Sequence, residues 1–117
     1  MDNIALKDLK SHRLDAGDMS VTILSLGCIT HDWRVPLGDA LVPIVLSYRD
    51  PADHLRHRGS LGIIAGRVAN RIANAQFSHD GTTYHLAANE GRSQLHGGPR
   101  GLASRNWTLE PEGATGV

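Results

Sequence analysis

Residues Ala75 to Leu86 read AQFSHDGTTYHL, two short runs of strand-forming residues on either side of Asp80-Gly81. An Asp-Gly pair favours the type I′ turn, whose two central residues both need positive φ and whose twist matches that of paired strands. A two-residue loop at this point fixes the register. His79 then faces Thr82, Phe77 faces Tyr84 and Ala75 faces Leu86, so Phe77, Tyr84, Ala75 and Leu86 share an apolar face. Gln76, Ser78, Thr83 and His85 fall on the opposite one.

Outward from this hairpin the chain keeps a strand-and-turn rhythm. Thirteen glycines and five prolines divide short apolar runs, and no segment sustains a helical period, so the class is mostly β. Met19 to Leu26 (MSVTILSL) is aliphatic and β-branched and ends at Gly27; Cys28 to Val35 continues in the same style up to Pro36. Val42 to Tyr48 (VPIVLSY) is apolar on both faces, the pattern of a strand between layers, with Pro43 at its start or on an edge. Asp50 to Ser60 is polar and turn-rich, a surface loop with room for one helical turn after Pro51. Beyond the hairpin, Ala87 to Arg105 is rich in glycine and arginine and reads as long loops at a sheet edge, with strand character resuming at Trp107 to Leu109.

Composition narrows the function. Twelve basic and twelve acidic side chains in 117 residues give a formal charge of zero, so no long-range field favours nucleic acid or an anionic membrane surface. Two Trp, two Tyr and one Phe are too few and too scattered for a base-stacking platform. The expected partner is a small or neutral molecule. Ten of the twelve basic residues are arginine, whose rigid fork of donors suits oxygen-rich groups. Cys28 is the sole cysteine, which excludes an intrachain disulfide and a cysteine-rich metal site and favours a cytoplasmic address. Met1 to Ser20 carries seven charged residues and no apolar core, and no later stretch is long enough to span a bilayer. One domain over residues 1–117, or part of one, is the expectation.

Two motifs carry chemistry. Gly66 to Ile72 (GRVANRI) sets two arginines and an asparagine beside small residues, a group able to donate several hydrogen bonds to a polyhydroxylated ligand; composition alone favours a solvated surface turn. Leu95 to Gly98 (LHGG) follows a histidine with two glycines, which let backbone approach a ligand closely and leave the imidazole accessible. His54 and His57 could share a helical face, yet between arginines and without a nearby thiolate or carboxylate pair they read as surface loop, and no metal is expected. Phosphate loops, dinucleotide fingerprints and nucleophile elbows are absent.

Taken in order, GRVANRI, the Asp80-Gly81 hairpin with Tyr84 and Leu86, Asn89, LHGG, the following glycine loop and Trp107 resemble the aldose 1-epimerase (galactose mutarotase) family. Val45 to Tyr48 (VLSY) is similar to a family segment that usually has glycine where Ser47 stands, and Gln94 stands where serine or another small residue is common, a change expected to be without consequence. The resemblance runs from about Ser20 to Leu109. It implies an all-β fold, an antiparallel β-supersandwich, here apparently incomplete, and an enzyme that interconverts the α and β anomers of aldohexoses such as galactose or glucose without a cofactor. By position it implies that Asn70, Arg71 and His96 bind the sugar, that His96 is the catalytic-site residue within this chain, and that Arg67 is structural. It further implies that the general base, a late glutamate, and the principal acid, a second histidine, lie beyond Val117. On this reading the chain is the N-terminal part of one domain, inactive alone and prone to self-association. A non-catalytic sugar-binding or interaction module derived from the fold is the alternative, and a phosphosugar epimerase using Arg92, Arg100 or Arg105 stays open.

Overall fold

A computed structural model of the chain describes residues 4–57 and 59–117. Met1 to Asn3 of the polar N-terminal stretch and Arg58 of the loop 50–60 lie outside the described residues. Four strands, β1 (Ser11–Ala16), β2 (Met19–Leu24), β3 (Thr30–Leu37) and β4 (Ala40–Pro43), form an antiparallel sheet in chain order. Ala16 pairs with Met19 and Leu37 with Ala40, which leaves Gly17-Asp18 and Gly38-Asp39 as two-residue loops. Both glycines have φ near +60°, the conformation a primed hairpin turn demands at its first central position. Strand β1 went unread in the sequence because SHRLDA is polar and only its partial burial against β2 marks it as a strand.

One helical turn, α1 (Asp53–Arg56), follows Pro51 as expected, but it is not wholly a surface feature: His54 is buried and Leu55 packs on the core. That core is Leu24, Leu26 and Ile29, closed by Ile4, Leu9, Leu55 and Ile63. It is thin. The radius of gyration is 16.9 Å, where a compact chain of this length has about 13 Å. Apolar side chains correspondingly remain at the surface, with Leu37 69% and Leu46 77% exposed.

After α1 come β5 (Arg71–Ile72), the hairpin β6 (Gln76–His79) and β7 (Thr82–His85), and β8 (Gln94–Leu95), which returns to pair antiparallel with β5. The hairpin has the register its loop dictates: Phe77 pairs with Tyr84 and His79 with Thr82, and both Asp80 and Gly81 have positive φ. The Phe77 and Tyr84 rings stack with centroids 5.1 Å apart. Nearly half of each remains exposed, and Phe77 lines the second of the clefts described below.

Two expected strands differ. Over Val42 to Tyr48 the pairing extends only to Pro43, which lies on the edge strand β4, one of the two places expected for it; Ile44 donates one more backbone bond to Trp33 and the chain then leaves the sheet. Apolarity on both faces signals a need for cover, not a strand partner, and the Ile44 and Leu46 side chains remain exposed. At Trp107 to Leu109 no strand forms. Asn106 makes a single bridge to Leu26, the Trp107 amide bonds Ser25, and the indole N–H bonds the Leu102 carbonyl, so the segment braces the turn after β2.

Candidate functional site

The two motif segments meet backbone to backbone because glycine lets them. Gly97 has φ +88°, and a Cβ placed there would overlap the Gly66 carbonyl. Gly101 lies close enough that its Cβ would come 2.7 Å from the His96 oxygen and 2.9 Å from that of Gly66. The Leu102 amide bonds Gly66 O at 3.1 Å. With Gly66 docked into the LHGG turn, β5 pairs with β8 through Arg71 opposite Leu95 and Ile72 opposite Gln94.

Just before this pairing, Asn70 and His96 both adopt the left-handed region, φ +63° and +50°, which their short polar side chains tolerate better than most. They exchange two bonds. The His96 amide donates to Asn70 O at 3.0 Å, and the Asn70 amide donates to His96 Nδ1 at 3.0 Å. An Nδ1 that accepts carries no proton, so the neutral ring holds its proton on Nε2 and presents an N–H donor on its far side. Arg71 continues the chain of contacts. One terminal nitrogen donates to Asn70 Oδ1 at 3.3 Å, while Nε and the other terminal nitrogen grip both carboxylate oxygens of Glu90. This fork-on-fork bonding holds the Glu90 carboxyl below its ordinary value and raises the Arg71 guanidinium above its own.

Glu90 is held by the turn that precedes β8. Its carbonyl accepts from the Ser93 amide, and Gly91 takes positive φ inside the turn. The Asn89 side chain binds both the amide and the carbonyl of Leu95, acting as a short strand partner. Gln94 is buried and donates to Ala87 O at 3.1 Å, so its side chain ties the segment after β7 to β8.

The structure therefore brings Asn70, Arg71 and His96 into one hydrogen-bonded set and adds Glu90, which the sequence motifs do not single out. The available signal was its place in a tight turn just ahead of LHGG. His96 lines a cleft of about 400 Å³ together with Asn89, Leu95, Leu55 and His54, while Asn70 and Arg71 are exposed. Arg67 stands apart, in a second cleft of about 520 Å³ with Val68, Phe77 and Trp107. His57 lies past the end of α1, and the imidazole that meets His54 is that of His31, not His57. Among the described residues no three of His, Cys, Asp and Glu converge, and no helix is long and apolar enough to cross a membrane.

The family model for aldose 1-epimerase matches residues 10–116. The chain belongs to the aldose 1-epimerase family. Aldose 1-epimerase of Escherichia coli (strain K12) is 39% identical over 98 residues, covering 83% of this chain and 28% of that protein. Galactose mutarotase of Sus scrofa is 35% identical over 101 residues, covering 86% of this chain and 30% of its own length. Among solved structures, a GalM/aldose epimerase homologue from C. elegans superposes with TM-score 0.81 at 28% identity over 91% of this chain and 33% of that one. The fold is thus galactose mutarotase-like, and the chain spans about 30% of the length of the curated relatives it matches.

Proposed function

We propose that residues 1–117 supply one wall of the sugar site of an aldose 1-epimerase, with Asn70, Arg71 and His96 binding an aldohexose such as galactose or glucose. The carrying observation is the contiguous set His96, Asn70, Arg71 and Glu90, in which internal bonds occupy His96 Nδ1 and Asn70 Oδ1 and leave donors over. His96 keeps Nε2–H. Asn70, its Oδ1 taken by Arg71, keeps its amide hydrogens, and of five guanidinium N–H groups three are engaged and two remain. A donor-rich wall of this kind matches the lone pairs of sugar oxygens.

Mutarotation needs a base to take the anomeric hydroxyl proton and an acid to protonate the ring oxygen; the open aldehyde rotates and recloses on either face. His96 donates through Nε2 to a sugar oxygen and so orients the ring and stabilises charge as it develops there. Glu90, held ionised by Arg71, keeps the guanidinium in place and is unsuited to give up a proton. The acid and base that complete the reaction belong, on this proposal, to segments outside residues 1–117.

Two measurements test it. In ¹⁵N-edited NMR, galactose or glucose should shift Asn70, Arg71 and His96 together, and unmoved signals at saturating sugar would remove the binding wall. In polarimetry the 117-residue chain should not accelerate anomerisation, since acid and base each contribute about 10²–10⁴-fold. Saturable acceleration by this chain alone would show that it carries its own acid and base.

A further inference from the structure

A second cluster has no part in the sugar reading. His31 Nδ1, His54 Nε2 and Ser47 Oγ form a nearly equilateral triangle, with edges of 3.1 Å between the rings, 3.0 Å from Ser47 to His31 and 3.1 Å from Ser47 to His54. The three groups come from separate elements. Ser47 stands in the segment after β4, and buried His54 on α1.

His31 owes its direction to a fault in the sheet. Thr22 pairs with Asp32 and the next residue, Ile23, pairs with Thr30, so His31 is the extra residue of a β-bulge. Bulges re-aim side chains, and here the bulged residue is the one that points to the triangle.

Hydrogen bonding alone does not account for three short edges. Between two neutral rings that face each other, one nitrogen carries a proton and the other does not, and the serine brings one more. Two protons can lie along two edges, which leaves the third to a forked, weakened bond. A cation above the triangle would instead meet a lone pair from all three atoms. With ligand distances of roughly 2.0–2.1 Å, two donors on one zinc-class ion lie roughly 2.9 Å apart at right angles and roughly 3.4 Å apart in a tetrahedron. The observed edges fall inside that interval.

We propose that His31, His54 and Ser47 form a three-donor site for a first-row divalent cation of the zinc class. Two imidazoles and one hydroxyl select a borderline ion over calcium or magnesium, which prefer all-oxygen shells. Asp32, Asp50 and Asp53 act on the two rings, though each is also paired with an arginine, Asp32 with Arg34 and the other two with Arg56, so the site rests on its three donors and not on a surrounding charge. His31 would carry its remaining proton on Nε2 and His54 on Nδ1. The Tyr48 ring meets His54 edge to face at 4.9 Å and limits its rotation, and His54 also lines the 400 Å³ cleft.

The test is titration of the 117-residue chain with Zn²⁺, and with Co²⁺ as a spectroscopic probe, followed by imidazole ¹⁵N NMR. One equivalent should bind, shifting His31 Nδ1 and His54 Nε2 while His57, His79 and His85 stay in place. His31→Gln and His54→Gln should each weaken binding at least about tenfold, the scale already seen for lesser changes around metal ligands. Ser47→Gly should weaken it less, and His57→Gln should leave it unchanged. The wild-type spectra need no variant to fold, so they decide independently. No stoichiometric binding, or shifts shared equally by all exposed histidines, would overturn the site.

Discussion

Replacing Gly97 by alanine should separate the two halves of the site, and its cost can be worked from two features of that glycine. The first is backbone conformation: an alanine held at φ +88° pays the left-handed penalty of about 1–2 kcal/mol. The second is contact, since the new methyl group would overlap the Gly66 carbonyl and force apart segments that now touch. Overpacking of this kind adds about 1–3 kcal/mol, for a total of about 2–5 kcal/mol. Gly81→Ala is the control, because Gly81 also has positive φ, +74°, but has open space where a Cβ would go. It should cost only the backbone share. Urea denaturation followed by circular dichroism measures both, and NMR of Gly97→Ala should show the Asn70 and His96 amides losing protection against exchange. If Gly97→Ala proves no more costly than Gly81→Ala, the backbone contact between GRVANRI and LHGG does not hold the site together.

Three further outcomes are expected. In an aldose 1-epimerase long enough to be active and carrying this segment, Arg71→Lys should lower kcat/KM roughly tenfold to a hundredfold, because a point charge cannot hold Glu90 and Asn70 at once; unchanged kinetics would return Arg71 to a surface role. The Arg71–Glu90 pair should persist above the ordinary carboxyl pKa of about 4.3 and open as pH falls through the lowered value of Glu90, seen as faster exchange of the Arg71 Nε proton. Glu90→Gln should abolish that pH dependence, and an Nε signal indifferent to both would argue against the pair. The exposed Leu37, Leu41, Ile44 and Leu46 should make the isolated chain self-associate, so its elution volume should fall with concentration and recover in Leu37→Lys/Leu46→Lys; a monomer at all concentrations would speak against this.

What the sequence made legible was local. Asp80-Gly81 dictates its hairpin because both residues that need positive φ are the loop itself, and the pairing of Phe77 with Tyr84 follows by counting. Gly17-Asp18 and Gly38-Asp39 carry the same information in another form, glycine in the first loop position, and reading them would have placed β1 and β4. The misreadings over Val42 to Tyr48 and Trp107 to Leu109 share one cause. Aliphatic and aromatic composition reports a demand for burial, and whether a backbone partner lies alongside is decided by chain elsewhere. Pro43 ends the ladder in the first case, and in the second the turn after β2 offers isolated bonds where a strand would need an edge.

The same division runs through the chemistry. Asn70, Arg71 and His96 could be picked out as candidates because each sits inside a short motif whose order and spacing survive without the fold. Glu90 was not, since its role depends on an arginine 19 residues away and appears only when β5 and β8 pair. His31 and His54 lay further out of reach: 23 residues separate them, one is aimed by an unpaired residue in a strand, and the other is buried by a helix of a single turn. Spacing drew attention to His54 and His57, which are near in sequence and do not meet. A bulge shifts every later side chain in its strand by one position relative to the partner, so a reader who counts alternation through β3 assigns His31 to the wrong face. The polar pairs that escape sequence reasoning are thus the ones created by register, and register is set by whole strands and not by the residues that use it.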